Sequence, residues 1–167
     1  MILAPQPFHP LTIPIEGTNL IEASAGTGKT YGIAALFTRL IVLEKLSVER
    51  VLVVTFTKAA TAELKTRLRA RLNDVLQVLE HTADAADDTA FNTQCDDTFI
   101  VDLIIEALKQ ESHARLMVRL KAAISQFDSA AIYTIHGFCQ RVLRDYALWC
   151  QVPFIIELSE QQHQYLI

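Results

Sequence analysis

The spacing of apolar positions changes twice in the first third of the chain. Residues 19–22 form a short strand-like run. After Thr30, apolar side chains recur every three or four residues, which predicts a helix to about Glu44 that buries one face against a sheet. Residues 50–55 are rich in β-branched side chains without polar alternation, a pattern typical of a parallel strand buried on both faces. The order strand, helix, strand predicts a right-handed βαβ unit.

The middle of the chain has the periodicity of three more helices. Thr57 is a candidate cap for the first of them. Its predicted buried side comprises Leu64, Leu68, Leu72, Val75, Leu76 and Leu79. Residues 80–98 are rich in Asp, Ala and Thr and lack periodicity, which predicts a solvated loop. Further helices are predicted at 99–109 and 112–126, interpreted as an insertion between strands, and a second strand at 130–134 continues into another helix.

The two ends differ from this regular middle. Four of the five prolines lie in residues 1–18, which predicts an extended lead-in. Val152 and Pro153 break the preceding helix, a strand is predicted at 154–158, and a capping box at 159–162 opens a last helix. The sequence stops inside that helix, so we interpret it as a piece of a longer chain. The predicted fold class is α/β, with a parallel sheet and flanking helices, divided into a lead-in (1–18), the first part of a domain (19–79), an acidic loop and helical insertion (80–128) and a return to the domain (129–167).

The first helix is preceded by the sequence A-S-A-G-T-G-K-T, residues 23–30. Phosphate binding needs backbone N–H groups that converge in a flexible loop, an ammonium for the β- and γ-phosphates, and a hydroxyl for Mg²⁺. Two glycines, Lys29 and Thr30 supply these groups. The usual first glycine is replaced by Ala23, which requires negative φ at that turn. Because the loop opens a helix, phosphates would lie at its partly positive N-terminus; the alternative is an ordinary Gly/Ser/Thr turn.

Composition is that of a soluble globular domain. The chain has 167 residues, 51% of them hydrophobic, and a mean hydropathy of +0.24, enough for one domain core. It begins with no basic and apolar leader and contains no stretch of membrane-span length, so a cytoplasmic protein without a membrane partner is expected. Cys95, Cys139 and Cys150 are odd in number and lack ligand spacing, so we interpret them as reduced thiols that mostly pack.

Charge is sorted along the chain, although the net charge is only −4. Residues 58–71 and 115–144 each carry five Lys or Arg against one acidic residue, whereas residues 74–111 carry ten acidic residues against one Lys. This sorting is compatible with a basic surface assembled from two segments, with the acidic stretch facing elsewhere. Solvated helix faces are the alternative. For the acidic stretch, a docking surface and a solvated insertion both remain open.

Polar and aromatic side chains follow both predicted strands at their carboxyl ends, where open α/β sheets present ligand-binding loops. Phe56 is a candidate for stacking on a base while Lys58 and Arg67 meet phosphate; the alternative is a core phenylalanine. His136 is a candidate for a phosphate hydrogen bond or for ordering its loop, and Gly137 permits close backbone approach. A structural histidine is the alternative, since His136 has no partner at metal-ligand spacing.

Three segments occur in one order: residues 23–30, V-T-F-T-K-A-A-T-A-E-L-K-T-R-L at 54–68, and T-I-H-G-F-C-Q-R-V-L at 134–143. On the basis of these segments, residues 15–158 resemble superfamily 1 DNA helicases of the UvrD/Rep type. Within this superfamily they most resemble the helicase–nuclease branch, whose phosphate loop commonly starts with alanine. The resemblance implies a P-loop NTPase (RecA-like) helicase domain with a helical insertion, here incomplete. The adenine-reading glutamine of the superfamily has no convincing counterpart, because nothing around Gln6 supports that role, and this agrees with the branch.

The resemblance also implies a role for each segment. Lys29 and Thr30 become catalytic residues, Lys29 on the β- and γ-phosphates of ATP and Thr30 as a ligand of Mg²⁺. The nucleotide cradle comprises Ala23, Ser24, Ala25, Gly26, Thr27 and Gly28, together with Lys29 and Thr30. The candidate DNA contacts are Thr55, Phe56, Thr57, Lys58, Arg67, Thr134, His136 and Phe138. The implied partners are single-stranded and double-stranded DNA ends and the alpha and gamma subunits of a heterotrimeric helicase–nuclease.

The implied activity of the longer chain is ATP-dependent 3′→5′ DNA unwinding, with exonuclease activity, in double-strand break repair and recombination. These 167 residues contain no D-E-x-Q segment, second motor domain, arginine finger or nuclease motif, so we expect weak nucleotide binding without hydrolysis or unwinding. The alternatives are a UvrD-like repair helicase, an AddA-type helicase–nuclease subunit, a P-loop enzyme of small molecules such as a kinase, and a non-catalytic DNA-binding or subunit-docking module.

Overall fold

The computed structural model describes residues 6–24, 26–82 and 97–150. The predictions for Ala25, for residues 83–96 with Cys95, and for the tail at 151–167 lie outside the described residues. The helices are α1 (Lys29–Val42), α2 (Lys58–Thr82), α3 (Thr98–Gln110), α4 (His113–Ser125), α5 (Ile135–Asp145) and α6 (Ala147–Cys150); the strands are β1 (Val53–Thr55) and β2 (Ile132–Thr134). Short 3₁₀ turns lie at Val48–Arg50 and Phe127–Ser129.

Helix α2 is the centre of the core. Its leucines at helical spacing remove one whole face from solvent, and Leu68, Leu72 and Leu79 are fully buried. The predicted buried side is confirmed except for Leu76, which is half-buried. The helix continues to Thr82, past the start of the predicted loop.

Helices α3 and α4 belong to the same core as α1 and α2. Leu103 on α3 and Leu120 on α4 are fully buried, and the whole set forms one cluster of buried residues. Phe37 of α1 packs edge-to-face on Phe127, with ring centroids 6.3 Å apart. The two helices lie between β1 and β2 in sequence, as expected of an insertion; the division of the chain into domains stays a prediction.

Strands β1 and β2 form a parallel pair in which Thr55 lies opposite Thr134. The side of the pair that carries Ile132, 1% exposed, faces the core. On the other side Val54 is 47% exposed, as is Leu52 just before the strand. The prediction of a strand buried on both faces is therefore wrong within the described part of the chain, because the core packs against one side only.

The predicted strand at residues 19–22 is not formed, and neither is the predicted βαβ unit. A strand needs a hydrogen-bonding neighbour, and the ladder of the described residues joins β1 to β2 alone. Instead, the Asn19 side chain donates to the carbonyl oxygens of Pro14 (2.9 Å) and Glu16 (3.4 Å), and Leu20 is 84% exposed.

The described part of the lead-in, residues 6–18, is held against α1 rather than simply extended. The Arg39 guanidinium donates to the carbonyl oxygens of Pro10 (3.0 Å) and Ile13 (2.8 Å). The same segment turns at His9, whose carbonyl accepts from two backbone N–H groups further along. Gly32 of α1 lets the Phe8 ring approach, since a Cβ there would lie 3.1 Å from the ring. Among the described helices, none combines the length and apolarity that a membrane crossing requires.

Candidate functional site

The loop before α1 is shaped by two glycines in the left-handed region of backbone conformation. Gly26 has φ 79° and Gly28 has φ 84°, values that a residue with a Cβ adopts only with strain. Among the described non-glycine residues, positive φ occurs only at Lys45, so Ala23 turns with negative φ, as predicted. Ser24 steadies the loop, because its carbonyl accepts a 2.7 Å hydrogen bond from the Thr27 hydroxyl.

Lys29 and Thr30 form the first residues of α1. The Lys29 ammonium folds back over the loop and donates to the carbonyl oxygen of Ala23, 2.8 Å away. Residues 24 and 26–29 are exposed, and Thr30 is half-buried. The structure thus brings the described members of the predicted cradle together around one open loop.

The N-terminus of α1, like that of α4, lacks a side-chain cap, whereas α2, α3 and α5 each have one. The Thr57 hydroxyl accepts from the Ala60 N–H at the start of α2, and Asp97 and Thr134 cap α3 and α5 in the same way. At α1 the cap position is Gly28, and no described side chain accepts from the first-turn N–H groups. These donors and the helix dipole are therefore available to an anion.

The parallel pairing of β1 and β2 brings the two candidate DNA segments side by side. Thr55 and Thr134 end adjacent strands in register, so residues 56–58 and 135–138 leave the sheet at the same edge. Helices α2 and α5 both begin there. This carboxyl-end edge is where open α/β sheets place their ligand sites.

The three threonines at this edge are engaged in local hydrogen bonds. Thr57 and Thr134 cap helices through their hydroxyls, and the Thr55 hydroxyl lies 2.6 Å from that of Thr61. Their role in DNA contact stays a prediction. Caps of this kind fix where the two helices start, and so fix the positions of the exposed side chains beside them.

Phe56 is 87% exposed, which excludes the alternative of a core phenylalanine. Lys58 and His136 are also exposed, and Phe138 is half-buried. Arg67 is 57% exposed in its side chain although it pairs with Glu63 at 2.7 Å. The edge thus carries an exposed aromatic ring with cations along the adjoining helix. Cys139 on α5 is exposed, so its interpretation as a packed thiol is wrong.

The predicted separation of basic and acidic segments is also wrong. Three ion pairs join them: Arg71 with Asp97, Lys121 with Glu80, and Arg119 with Glu111. Opposite charges that are remote in sequence meet because α2, α3 and α4 pack against one another. Within the described residues, Glu80, Asp97 and Glu111 of the acidic stretch therefore lie against the two basic segments instead of facing elsewhere.

Tyr31, Arg71 and Asp97 form a cluster that links three helices, and sequence reasoning missed it. The Tyr31 hydroxyl donates to Asp97 Oδ1 (3.1 Å), and Arg71 Nη1 donates to Asp97 Oδ2 (2.5 Å). The Arg71 guanidinium also lies over the Tyr31 ring, 4.8 Å from its centroid. An Asp directly before an apolar-periodic helix is a cap signal, but no spacing in the sequence predicts its partners.

Burial and charge shift the pKa values of this cluster. Burial raises the pKa of the Tyr31 hydroxyl, and the Asp97 charge adds to this while Arg71 opposes it. Burial alone would raise the pKa of Asp97, but the hydrogen bonds and charge of Arg71 and the Tyr31 hydroxyl outweigh it, so that the pKa is lowered. Asp97 is therefore held as a carboxylate between two donors.

Known proteins match nearly all of this chain. The family described as the UvrD/REP helicase N-terminal domain matches residues 3–166. The RecBCD enzyme subunit RecB of Haemophilus influenzae is 42% identical over 173 residues, which covers 96% of this chain and 13% of that protein. The RecB subunits of Escherichia coli and Mycolicibacterium smegmatis are 38% and 36% identical, over 93% and 81% of this chain.

The chain thus spans 13% of the length of the first two of these relatives. The family match includes the loop at 23–30 and both segments at the sheet edge, and the fold is helix-rich with a small parallel sheet, compatible with the α/β class. The chain therefore belongs to the UvrD/REP helicase family.

Proposed function

We propose that this chain is the N-terminal ATP-binding part of an ATP-dependent 3′→5′ DNA helicase and exonuclease subunit, equivalent to the beta subunit of exodeoxyribonuclease V, in double-strand break repair and recombination. The observation that carries the proposal is the open loop before α1, where two left-handed glycines, the Lys29 ammonium and an uncapped helix N-terminus converge. Membership of the UvrD/REP family supports the assignment to a helicase, and the RecB relatives support the branch.

The residues present fit ATP with Mg²⁺. The first-turn N–H groups of α1 and the backbone of residues 23–28 would hold phosphate oxygens, and the Lys29 ammonium, which donates to the Ala23 carbonyl oxygen here, would neutralise the β- and γ-phosphates. Thr30 supplies one hydroxyl ligand. Mg²⁺ would be held by this hydroxyl together with phosphate oxygens and water, the oxygen ligands that it prefers. When bound, it neutralises charge that develops on the phosphates.

We propose that the domain is a RecA-like P-loop fold whose sheet gains strands from the longer protein. The apolar side chains of Leu20, Leu52 and Val54 are exposed, as they would be beside missing sheet neighbours. The relatives are named as RecB subunits of the RecBCD enzyme. We therefore propose the alpha and gamma subunits of a heterotrimer as the protein partners of this chain.

The proposed DNA surface is the edge at which β1 and β2 end. Phe56 offers a ring that stacks on any base, a contact that is independent of sequence and suits a motor that moves along a strand. Lys58 and Arg67 face the same solvent and are available to phosphates. Thr55, Thr57, Thr134, His136 and Phe138 complete the proposed set.

Hydrolysis is not expected of these 167 residues alone. They contain no D-E-x-Q segment, so the carboxylates that orient the attacking water have no counterpart among them. We propose that the chain binds nucleotide and single-stranded DNA without ATPase or unwinding activity. Strong DNA-stimulated ATP hydrolysis by the purified chain would contradict this.

The test is Lys29→Ala, measured by titration with a fluorescent ATP analogue in Mg²⁺ and, separately, with labelled oligo-dT. Loss of a charge-assisted contact worth about 1.5–3 kcal/mol weakens nucleotide binding by roughly 10- to 150-fold, while oligo-dT affinity is retained. The matched control is Lys109→Ala, which removes the same charge from the exposed surface of α3.

Each other outcome selects a different function. If Lys29→Ala binds nucleotide as tightly as the parent chain, the proposed nucleotide site is excluded. Oligo-dT binding without any nucleotide binding favours a non-catalytic DNA-binding module. Nucleotide binding without oligo-dT binding favours a P-loop enzyme of small molecules. A UvrD-like repair helicase and an AddA-type subunit differ from the favoured branch in the remainder of the longer chain.

A further inference from the structure

Arg71 of α2, Asp97 at the start of α3 and Tyr31 of α1 form a partly buried polar cluster, in which Tyr31 is 47% exposed; it is named here the three-helix latch. Arg71 is 11% exposed and Asp97 26% exposed in their side chains. Asp97 accepts from Arg71, from the Tyr31 hydroxyl and from the Phe99 N–H at 3.1 Å. Removing one partner of such a pair is destabilising because it leaves the other charge uncompensated, so the latch holds three helix segments in a defined relation.

The latch meets the proposed nucleotide site through Tyr31. Tyr31 follows Thr30 directly, in the first turn of α1. A shift of its ring therefore moves the backbone that carries the Thr30 hydroxyl and the uncapped N–H groups. Because the ring is clamped by the Asp97 hydrogen bond and the Arg71 guanidinium, the latch sets the position of this turn.

The latch meets the proposed DNA edge through α2. That helix begins at Lys58, beside Phe56 and the Thr57 cap, and is continuous to Arg71. Thirteen residues of helix span about 20 Å. The buried leucines along α2 tie it to the core, so that a movement at its N-terminus is passed along the helix as a rigid body.

The present arrangement of the latch leaves part of Arg71 unsatisfied. Its Nη1 is bonded to Asp97, but Nε and Nη2 are buried without a hydrogen-bond partner among the described residues. Buried donors left unpaired are costly, so an arrangement of α1 and α3 that supplied an acceptor would compete with this one. Coupling between two sites requires such an element with more than one arrangement.

From these contacts we infer that Tyr31, Arg71 and Asp97 are positioning residues that couple nucleotide binding at α1 to single-stranded DNA binding at the start of α2. The inference rests on the proposed function, since both ligands must bind. Coupling is reciprocal: oligo-dT raises the affinity for the ATP analogue by the same factor as the analogue raises the affinity for oligo-dT.

The experiment measures both affinities of the 167-residue chain, each with and without a saturating amount of the other ligand. Tyr31→Phe removes the hydroxyl but keeps the ring over Arg71, and Asp97→Asn removes the charge that both donors share. The control is Tyr146→Phe, which deletes a hydroxyl from a tyrosine that is 56% exposed. Thermal unfolding of each variant reports any loss of structure.

We expect the coupling factor to fall by about 2- to 30-fold in both latch variants, while Tyr146→Phe leaves all four affinities unchanged. A purely structural role would lower the unfolding temperature and leave the coupling factor intact. That result, or a parent chain that binds both ligands independently, overturns the inference but leaves the proposed function standing. A parent chain that binds no nucleotide overturns the proposed function itself.

Discussion

Phe56→Ala separates a DNA-contacting ring from a structural one. The ring is 87% exposed, directly after β1 and two residues before α2 begins. Since little of it is buried, its removal should change the free energy of unfolding by no more than about 0.5 kcal/mol. One lost base–aromatic stack is worth about 1–3 kcal/mol, which corresponds to a rise in Kd for oligo-dT of about 5- to 150-fold.

Fluorescence anisotropy of labelled oligo-dT at fixed salt gives the Kd, since salt alone changes such affinities strongly. Urea unfolding of the same samples gives the stability. The control is Phe37→Ala, because Phe37 is 2% exposed and packs in the core; its truncation should cost about 3–5 kcal/mol of stability. An unchanged oligo-dT affinity in well-folded Phe56→Ala, or a stability loss as large as that of Phe37→Ala, would refute the reasoning.

Three further predictions concern stability. Thr57→Ala removes the cap of α2 and should lower the free energy of unfolding in urea by about 1 kcal/mol, whereas Thr66→Ala, within the same helix, should change it by less than about 0.5 kcal/mol; equal losses would contradict a capping role. Lys45→Gly should raise the unfolding temperature, because Lys45 has φ 57° and glycine relieves about 1 kcal/mol of backbone strain. An unfolding temperature below that of the parent chain would show that the strain is absent. The pKa of Asp97 is lowered in the fold, so the stabilising contribution of its carboxylate is complete above the ordinary carboxyl pKa and is lost as the pH falls below about 4. The stability difference between the parent and Asp97→Asn should therefore shrink in acid. A difference that is constant with pH would exclude the ion pair as its source.

The helices were predictable because their signals are local. Apolar spacing gave α1 to within two residues of its end, the buried leucines of α2, and the start of α4 after Ser112. The loop at 23–30 was predictable for the same reason, since glycine, lysine and threonine at fixed offsets need only their neighbours in sequence to form a cradle.

The strands and the charges were less predictable because they depend on partners remote in sequence. Residues 19–22 have strand-like composition but no ladder neighbour among the described residues, and Val54 is exposed because one side of β1 lacks a covering layer there. The Arg71–Asp97 pair joins residues 26 positions apart, and only the packing of α2 against α3 brings them together. Composition alone therefore did not show that Arg71, Arg119 and Lys121 pair with acidic residues.

The central claim, that ATP binds at the N-terminus of α1, is tested most directly by amide hydrogen exchange with and without ATP and Mg²⁺. Exchange reports the protection of individual backbone N–H groups, and these groups are the proposed phosphate donors. The account predicts slower exchange at residues 26–31 when ATP is present, and loss of this effect in Lys29→Ala. Unchanged exchange at residues 26–31, with ATP protecting a different part of the chain, would contradict it.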